Sequence, residues 1–137
     1  MNFFSLKLMA YLIEQHPHMV TDTEFVSARG EEAALEFANC SKSGMSADES
    51  MSEALRTLYQ GLHFSVYAAI KDCLEEKVTD ADESALSSAA LEIMRSYSRQ
   101  LSRYETGDDN FAGSSEYPAF CRDVECFVER YKVEYGI

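Results

Sequence analysis

The residue types in this chain that could do chemistry are few, and their spacing decides what each could do. His63 and Ser65 stand two apart in Gly61-Leu62-His63-Phe64-Ser65, with Tyr67 just beyond. A serine beside a histidine suggests a nucleophile and its base. Residues i and i+2 do not face each other on a helix, however, and no oxyanion glycine turn accompanies them. The same residues suit a helix joint. Ser65 reads as the N-cap of the helix that follows, and a neutral His63 at the joint can bond a helix-end carbonyl or a cap.

His16 and His18, with Asp22 and Glu24 close behind, have the ligand types for zinc or nickel. Pro17 separates the two histidines, and no His-x-x-x-His adds ligands at helical spacing. No metal site is expected there. Glu31, Glu32 and Glu36 invite comparison with di-iron bundles, but those need Glu-x-x-His pairs on two helices and none is present. These carboxylates read as a solvated face. Cys121 and Cys126, five apart, fall on different helix faces and suit neither a metal knuckle nor a redox pair. The expectation is no catalytic residue and no cofactor.

Binding chemistry offers more. Arg95, Arg99 and Arg103 recur every four residues, so one helix face would carry all three guanidinium groups. Residues 95–104 contain no acid, in a chain whose formal charge is −12. Such a strip could dock an acidic partner, including the Glu-rich part of a second copy; without one it is a set of ion pairs or a solvated face. Tyr97 and Tyr104 lie among these arginines, and Tyr117, Tyr131 and Tyr135 follow. A phenol on a core-facing position needs a partner or a solvent edge for its hydroxyl. A crevice rich in Tyr and Phe between the last two helices could receive a partner helix, and the plainer reading is an aromatic core.

The elements that must position these residues are helical. Ala, Leu and Glu number 15, 11 and 16, against seven Val, four Ile and five Thr, a composition that favours helix over strand. Caps and 3.6-residue spacing mark six segments. The first spans about Phe3 to His16, with Phe4, Leu8 and Leu12 inward and Met9 and Ile13 beside them. The second opens at a Thr21-x-x-Glu24 capping box, turns Val26, Ala33, Phe37 and Cys40 inward, and ends near Gly44. The third opens at Ser46-x-x-Glu49 with the stripe Met51, Ala54, Leu55, Leu58, Leu62. The fourth carries Val66, Ile70, Cys73 and Leu74. The fifth spans Asp82 to Tyr104, with Leu86, Ala90, Ile93, Tyr97, Leu101 and Tyr104 on one side. A polar loop, Thr106 to Ser115, leads to the sixth, Glu116 to Tyr135. The expected fold is all-α: one domain over 1–137, a compact bundle of about six helices with short connections.

Charge and hydropathy exclude further classes. An excess of acid argues against a whole-surface grip on nucleic acid or on anionic lipid. No stretch approaches the ~20 apolar residues that cross a bilayer. Lys7 lies inside the apolar run from Met1 to Ile13, and Glu14-Gln15-His16 follow, so a signal peptide is not expected. The four cysteines form no Cys-x-x-Cys pair and sit in apolar patterns, which suits free thiols in the cytoplasm.

Three strings resemble a known family. They are Leu6-Lys7-Leu8 through Tyr11-Leu12 with His16-Pro17 and Thr21-Asp22-Thr23-Glu24-Phe25; Gly61-Leu62-His63-Phe64-Ser65 with Tyr67; and Asp109, Phe111-Ala112 and Ser115-Glu116-Tyr117. The chain resembles the family catalogued as domain of unknown function 1896, small helical proteins of Bacteroides-like bacteria. Val66 and Ala68 stand where the family pattern carries Lys and Asp. The resemblance implies an all-helical cytoplasmic protein, often encoded near mobile-element genes, with no established activity.

The functional expectation is a non-enzymatic interaction protein that binds a protein partner or itself. The alternative is an acidic nucleic-acid mimic that blocks a DNA-binding protein. An enzyme would require a deep pocket holding His63 and a perturbed carboxylate.

Overall fold

Side-chain caps set most of the helix starts in the computed structural model, which describes residues 1–136. The helices are α1 (Phe3–Gln15), α2 (Thr23–Lys42), α3 (Ala47–Leu58), α4 (Val66–Lys77), α5 (Glu83–Ser96), α6 (Ser98–Leu101) and α7 (Tyr117–Tyr135), with 3₁₀ turns at Pro17–Met19 and Phe111–Gly113. No strand occurs among the described residues, so the fold is all-α as expected.

At α1, the Asn2 side chain accepts from the Ser5 amide at 2.8 Å, and the Ser5 hydroxyl accepts from the Asn2 amide at 2.8 Å. This reciprocal pair satisfies two amide donors at the helix start. At α2 the cap is Asp22, which accepts from the Phe25 amide at 3.1 Å. The expected Thr21 box is thus displaced by one residue, and aspartate's charge suits a helix N-terminus better. Ser46, Ser65 and Asp82 cap α3, α4 and α5 in the same way. α2 ends where Gly44 takes φ +96, letting the Met45 amide reach back to the Cys40 carbonyl at 3.2 Å. A side chain at that φ would be strained.

Contacts divide the chain into two compact units, one of residues 1–62 and one from His63 onward. The first core is built by Phe4, Leu8 and Leu12 of α1, Val26 and Ala33 of α2, Ala54 and Leu58 of α3, and Leu62. α1 crosses α2 where Gly30 meets Ser5, and the Asn2 side-chain Nδ2 donates to the Gly30 carbonyl at 3.2 Å. Ile13, expected beside the inward stripe, is exposed. The first unit also contains a cation at the end of α3. Arg29 reaches from α2 and donates to the carbonyls of Thr57, Leu58 and Gln60 at 3.3, 3.2 and 2.8 Å. Its guanidinium also lies 4.9 Å from the Phe25 ring centroid. Helix-end carbonyls otherwise lack donors and carry partial negative charge. Arg29→Ala will therefore lower stability by about 1.5–3 kcal/mol. All three bonds leave one guanidinium nitrogen, so Arg29→Lys, whose ammonium also has three donors, will recover part of the loss but not the planar contact with Phe25. Urea denaturation of the three proteins measures both.

The second core is formed by Ile70, Cys73 and Leu74 of α4, Leu86, Ala90 and Ile93 of α5, Leu101 of α6, Phe111, and Phe120, Val124, Phe127 and Val128 of α7. The single fifth helix read from the sequence is two. It breaks at Tyr97, with φ −111 and ψ 22, and α6 is one turn. The Tyr97 ring lies flat on Phe127 of α7, centroids 4.2 Å apart. Tyr104 then falls beyond the helix. The polar loop read as Thr106 to Ser115 also contains structure: Phe111 is only 1% exposed and opens a 3₁₀ turn.

Candidate functional site

The joint motif and the turn around Phe111 meet through one side chain. Asp109 accepts from the His63 backbone amide at 3.2 Å, and its second oxygen stands 3.8 Å from His63 Nε2. The two side chains are 52% and 31% exposed, so the pair is largely in solvent. Below it, the Ser65 hydroxyl accepts from the Ala68 amide at 2.9 Å, as expected of an N-cap. Phe64 joins an aromatic cluster with Phe111, Tyr117 and Phe120. Tyr67 is buried in the second core, with the Lys71 ammonium 5.9 Å from its ring centroid. Gly61 takes φ +81, a turn conformation that favours glycine. The motif therefore divides into a cap, two core aromatics, a glycine turn and an exposed His63–Asp109 contact. The sequence held Asp109 in a separate string, and only folding over 46 residues brings it to His63.

The five residues read as a partner strip are not equivalent. Tyr97 and Tyr104 belong to the second core's packing: Tyr97 by its stack on Phe127, Tyr104 by edge-on contacts with Phe111 and Phe120. The Tyr104 hydroxyl donates to Asp123 at 2.5 Å, so its polar tip is partnered. Arg95 pairs with Glu92 at 3.3 Å, and Arg103 lies 3.9 Å from Asp123 while its Nε donates to the Gln100 carbonyl. Arg99 is exposed. The break at Tyr97 puts Arg95 on α5 and Arg99 on α6, so the three do not share one straight ridge.

The histidines before α2 have separate places. His16 is buried, and its Nε2 donates to the Leu62 carbonyl at 2.8 Å, the same oxygen that accepts from the Tyr11 hydroxyl. His18 is exposed, its ring 5.9 Å from that of His16. Among the described residues no group of three His, Cys, Asp or Glu is placed to hold a metal ion. A groove of about 390 Å³ beside α4 and α7 is lined by Asp72, Cys73, Glu76, Tyr117, Cys121 and Glu125, among others. Burial pushes the Cys73 thiol up, and Glu125 and Glu76 add to it. A thiol so placed stays protonated near neutrality and is a poor nucleophile.

Other shifts share that sign. Burial raises Tyr59 and Tyr131, and the bond to Asp123 raises Tyr104. Carboxylate partners Glu83 and Glu129 raise Lys71 and Lys77. A group whose folded pKa is raised contributes stability that is complete below its unfolded value and is lost as pH climbs through the folded one. Partial burial of the otherwise exposed His18, and then His16, shift it down, so its effect is lost as pH falls through the histidine range. Urea midpoints will therefore be highest near neutrality, falling first above about pH 9 as thiols, then tyrosines and lysines, ionise in the unfolded chain. A midpoint still rising at pH 10 would contradict these assignments.

One surface was missed by the sequence reading. Phe4, Leu8 and Leu12 bury the inner face of α1, yet Phe3, Leu6 and Ile13 on its outer face are 59%, 59% and 58% exposed. Ala10 is exposed between them. Positions 3, 6, 10 and 13 form a continuous stripe opposite the core. The signal was present, because α1 is apolar on both sides. Reading one inward stripe left the other unexplained. Single exposed apolar residues are ordinary on any surface, whereas a contiguous set marks a binding face.

No helix among the described residues is long and apolar enough to cross a membrane. A family model described as a domain of unknown function (DUF1896) matches residues 1–137. The fold is also similar to a crystal structure of the protein PG0816 from Porphyromonas gingivalis, with a TM-score of 0.86 and 29% identity over 97% of this chain and 90% of that one. No curated protein matches the chain.

Proposed function

This chain belongs along its whole length to the DUF1896 family, whose description names no chemistry, and we propose that it is a non-catalytic interaction protein docking a macromolecular partner through the outer face of α1. The observation that carries this is the exposed stripe of Phe3, Leu6 and Ile13 on a helix whose opposite face is fully used. Apolar area left in water forgoes roughly 25 cal/mol per Å² of stabilisation, which a docked partner recovers. The arginines are a weaker attachment point, since Arg95 and Arg103 already have acidic neighbours in their own chain.

The test is a photo-reactive amino acid in place of Ala10, which is exposed within the stripe. Irradiation in the native cells will give a discrete protein adduct. The same group at Ser88, exposed on α5, is the control. Equal adduct formation at both positions, or none at position 10, sinks the reading.

A further inference from the structure

The outer stripe of α1 has the spacing of a helix-pairing seam. Phe3, Leu6, Ala10 and Ile13 recur at intervals of three, four and three residues, the repeat by which one helix packs along another. Lys7 and Glu14, both exposed and seven residues apart, flank the stripe on one side. Neither has an ion-pair partner within the described residues.

Resting on the reading that α1 docks a partner, we propose that the partner is a second copy of this chain, with the two α1 helices antiparallel across a two-fold axis. That arrangement sets Leu6 of one copy opposite Ala10 of the other and Phe3 opposite Ile13, so the largest gap in each stripe receives a bulky side chain. A parallel pair would oppose Ala10 to Ala10 and leave a void. Charge agrees with the same register. Side chains on a helix lean toward its N-terminus, so in an antiparallel pair Lys7 of one copy and Glu14 of the other lean toward each other, twice per dimer. A stripe of three turns is smaller than the ~800 Å² each partner buries in a standard interface, so the dimer is weak, with dissociation constant in the micromolar range.

Sedimentation velocity of the full chain, alone in buffer from ~1 to ~500 μM, tests this. The wild type will pass from monomer to dimer across the range. Ala10→Glu will remain monomeric throughout, with unchanged helical content and an unchanged unfolding midpoint at the lowest concentration, since Ala10 lies outside the core. Lys7→Glu and Glu14→Lys will each weaken the dimer about three- to tenfold, and the K7E/E14K double variant will restore it. A wild type that stays monomeric, a dimer indifferent to Ala10→Glu, or a double variant no better than the singles overturns the proposal. A monomeric wild type whose position 10 still cross-links a different protein in cells overturns self-pairing alone and leaves α1 as a docking helix.

Discussion

Phe111→Ala will lower stability by about 3–5 kcal/mol, the range for deleting a buried aromatic ring. The residue is almost completely buried in a stretch that otherwise reads as solvent-exposed loop. Its ring meets those of Phe64, Phe120, Tyr117 and Tyr104 with centroids 4.9, 5.3, 6.0 and 6.1 Å away, every one edge-on. Edge-to-face pairs add about 0.5–1.5 kcal/mol each beyond area burial, so the loss lies toward the top of the range. The turn cannot collapse into the space. It is braced by the Asn110 amide on the Asp108 carboxylate and by the Ser114 hydroxyl on the Phe111 carbonyl, at 2.9 and 2.7 Å. Urea denaturation followed by near-ultraviolet circular dichroism, which reports the aromatic cluster, gives the value. A loss below about 1.5 kcal/mol would mean that the site repacks.

Gly30→Ala will cost up to about 2 kcal/mol net, although alanine is the better helix former. A Cβ there would lie 2.7 Å from Ser5 Cβ and 2.9 and 3.0 Å from the Ser5 amide nitrogen and Cα. Two of those three atoms are backbone, which cannot swing aside as a side chain would. Relief requires α1 to lift from α2, opening the contacts of Phe4, Leu8 and Leu12 along with it. Overpacking of this kind costs typically 1–3 kcal/mol and outweighs the ~1 kcal/mol gained in helix propensity. Ser5→Gly in the same chain will recover only part of the loss, because the backbone contacts remain and the reciprocal cap with Asn2 is gone. Thermal unfolding of the two variants ranks them. A Gly30→Ala protein as stable as the wild type would mean that the crossing is looser than these distances.

Local signals carried most of the helix limits. Ser46, Ser65 and Gly44 do what their residue types dictate, because capping is decided by atoms within four residues. Thr21 lost the cap to its neighbour Asp22, whose carboxylate accepts from the Phe25 amide. The break at Tyr97 was not legible. An unbroken helical pattern crosses it, and the stack on Phe127, thirty residues away, is tertiary. Phe111 was hidden for the converse reason: Gly, Asp, Asn and Ser around it signal a turn correctly, yet a turn can still insert one ring into a core. The His63–Asp109 contact was equally out of reach, since 46 residues separate the two and no local pattern links them. At α1 the information was available. Its apolar residues are too many for one face, and the surplus is the face now open to a partner.

The division of buried residues along the chain bears on how the protein is made. Each residue of the first core lies at or before Leu62, and that core includes the inner face of the most apolar helix. Domains generally fold as units during synthesis, the N-terminal one first. Contacts between segments near in sequence also form fastest. On the ribosome, α1 therefore waits only for α2 and α3 to emerge, not for α7. Its inner leucines are covered early, and the outer stripe is what this helix continues to show to chaperones or to a neighbouring copy on the same messenger.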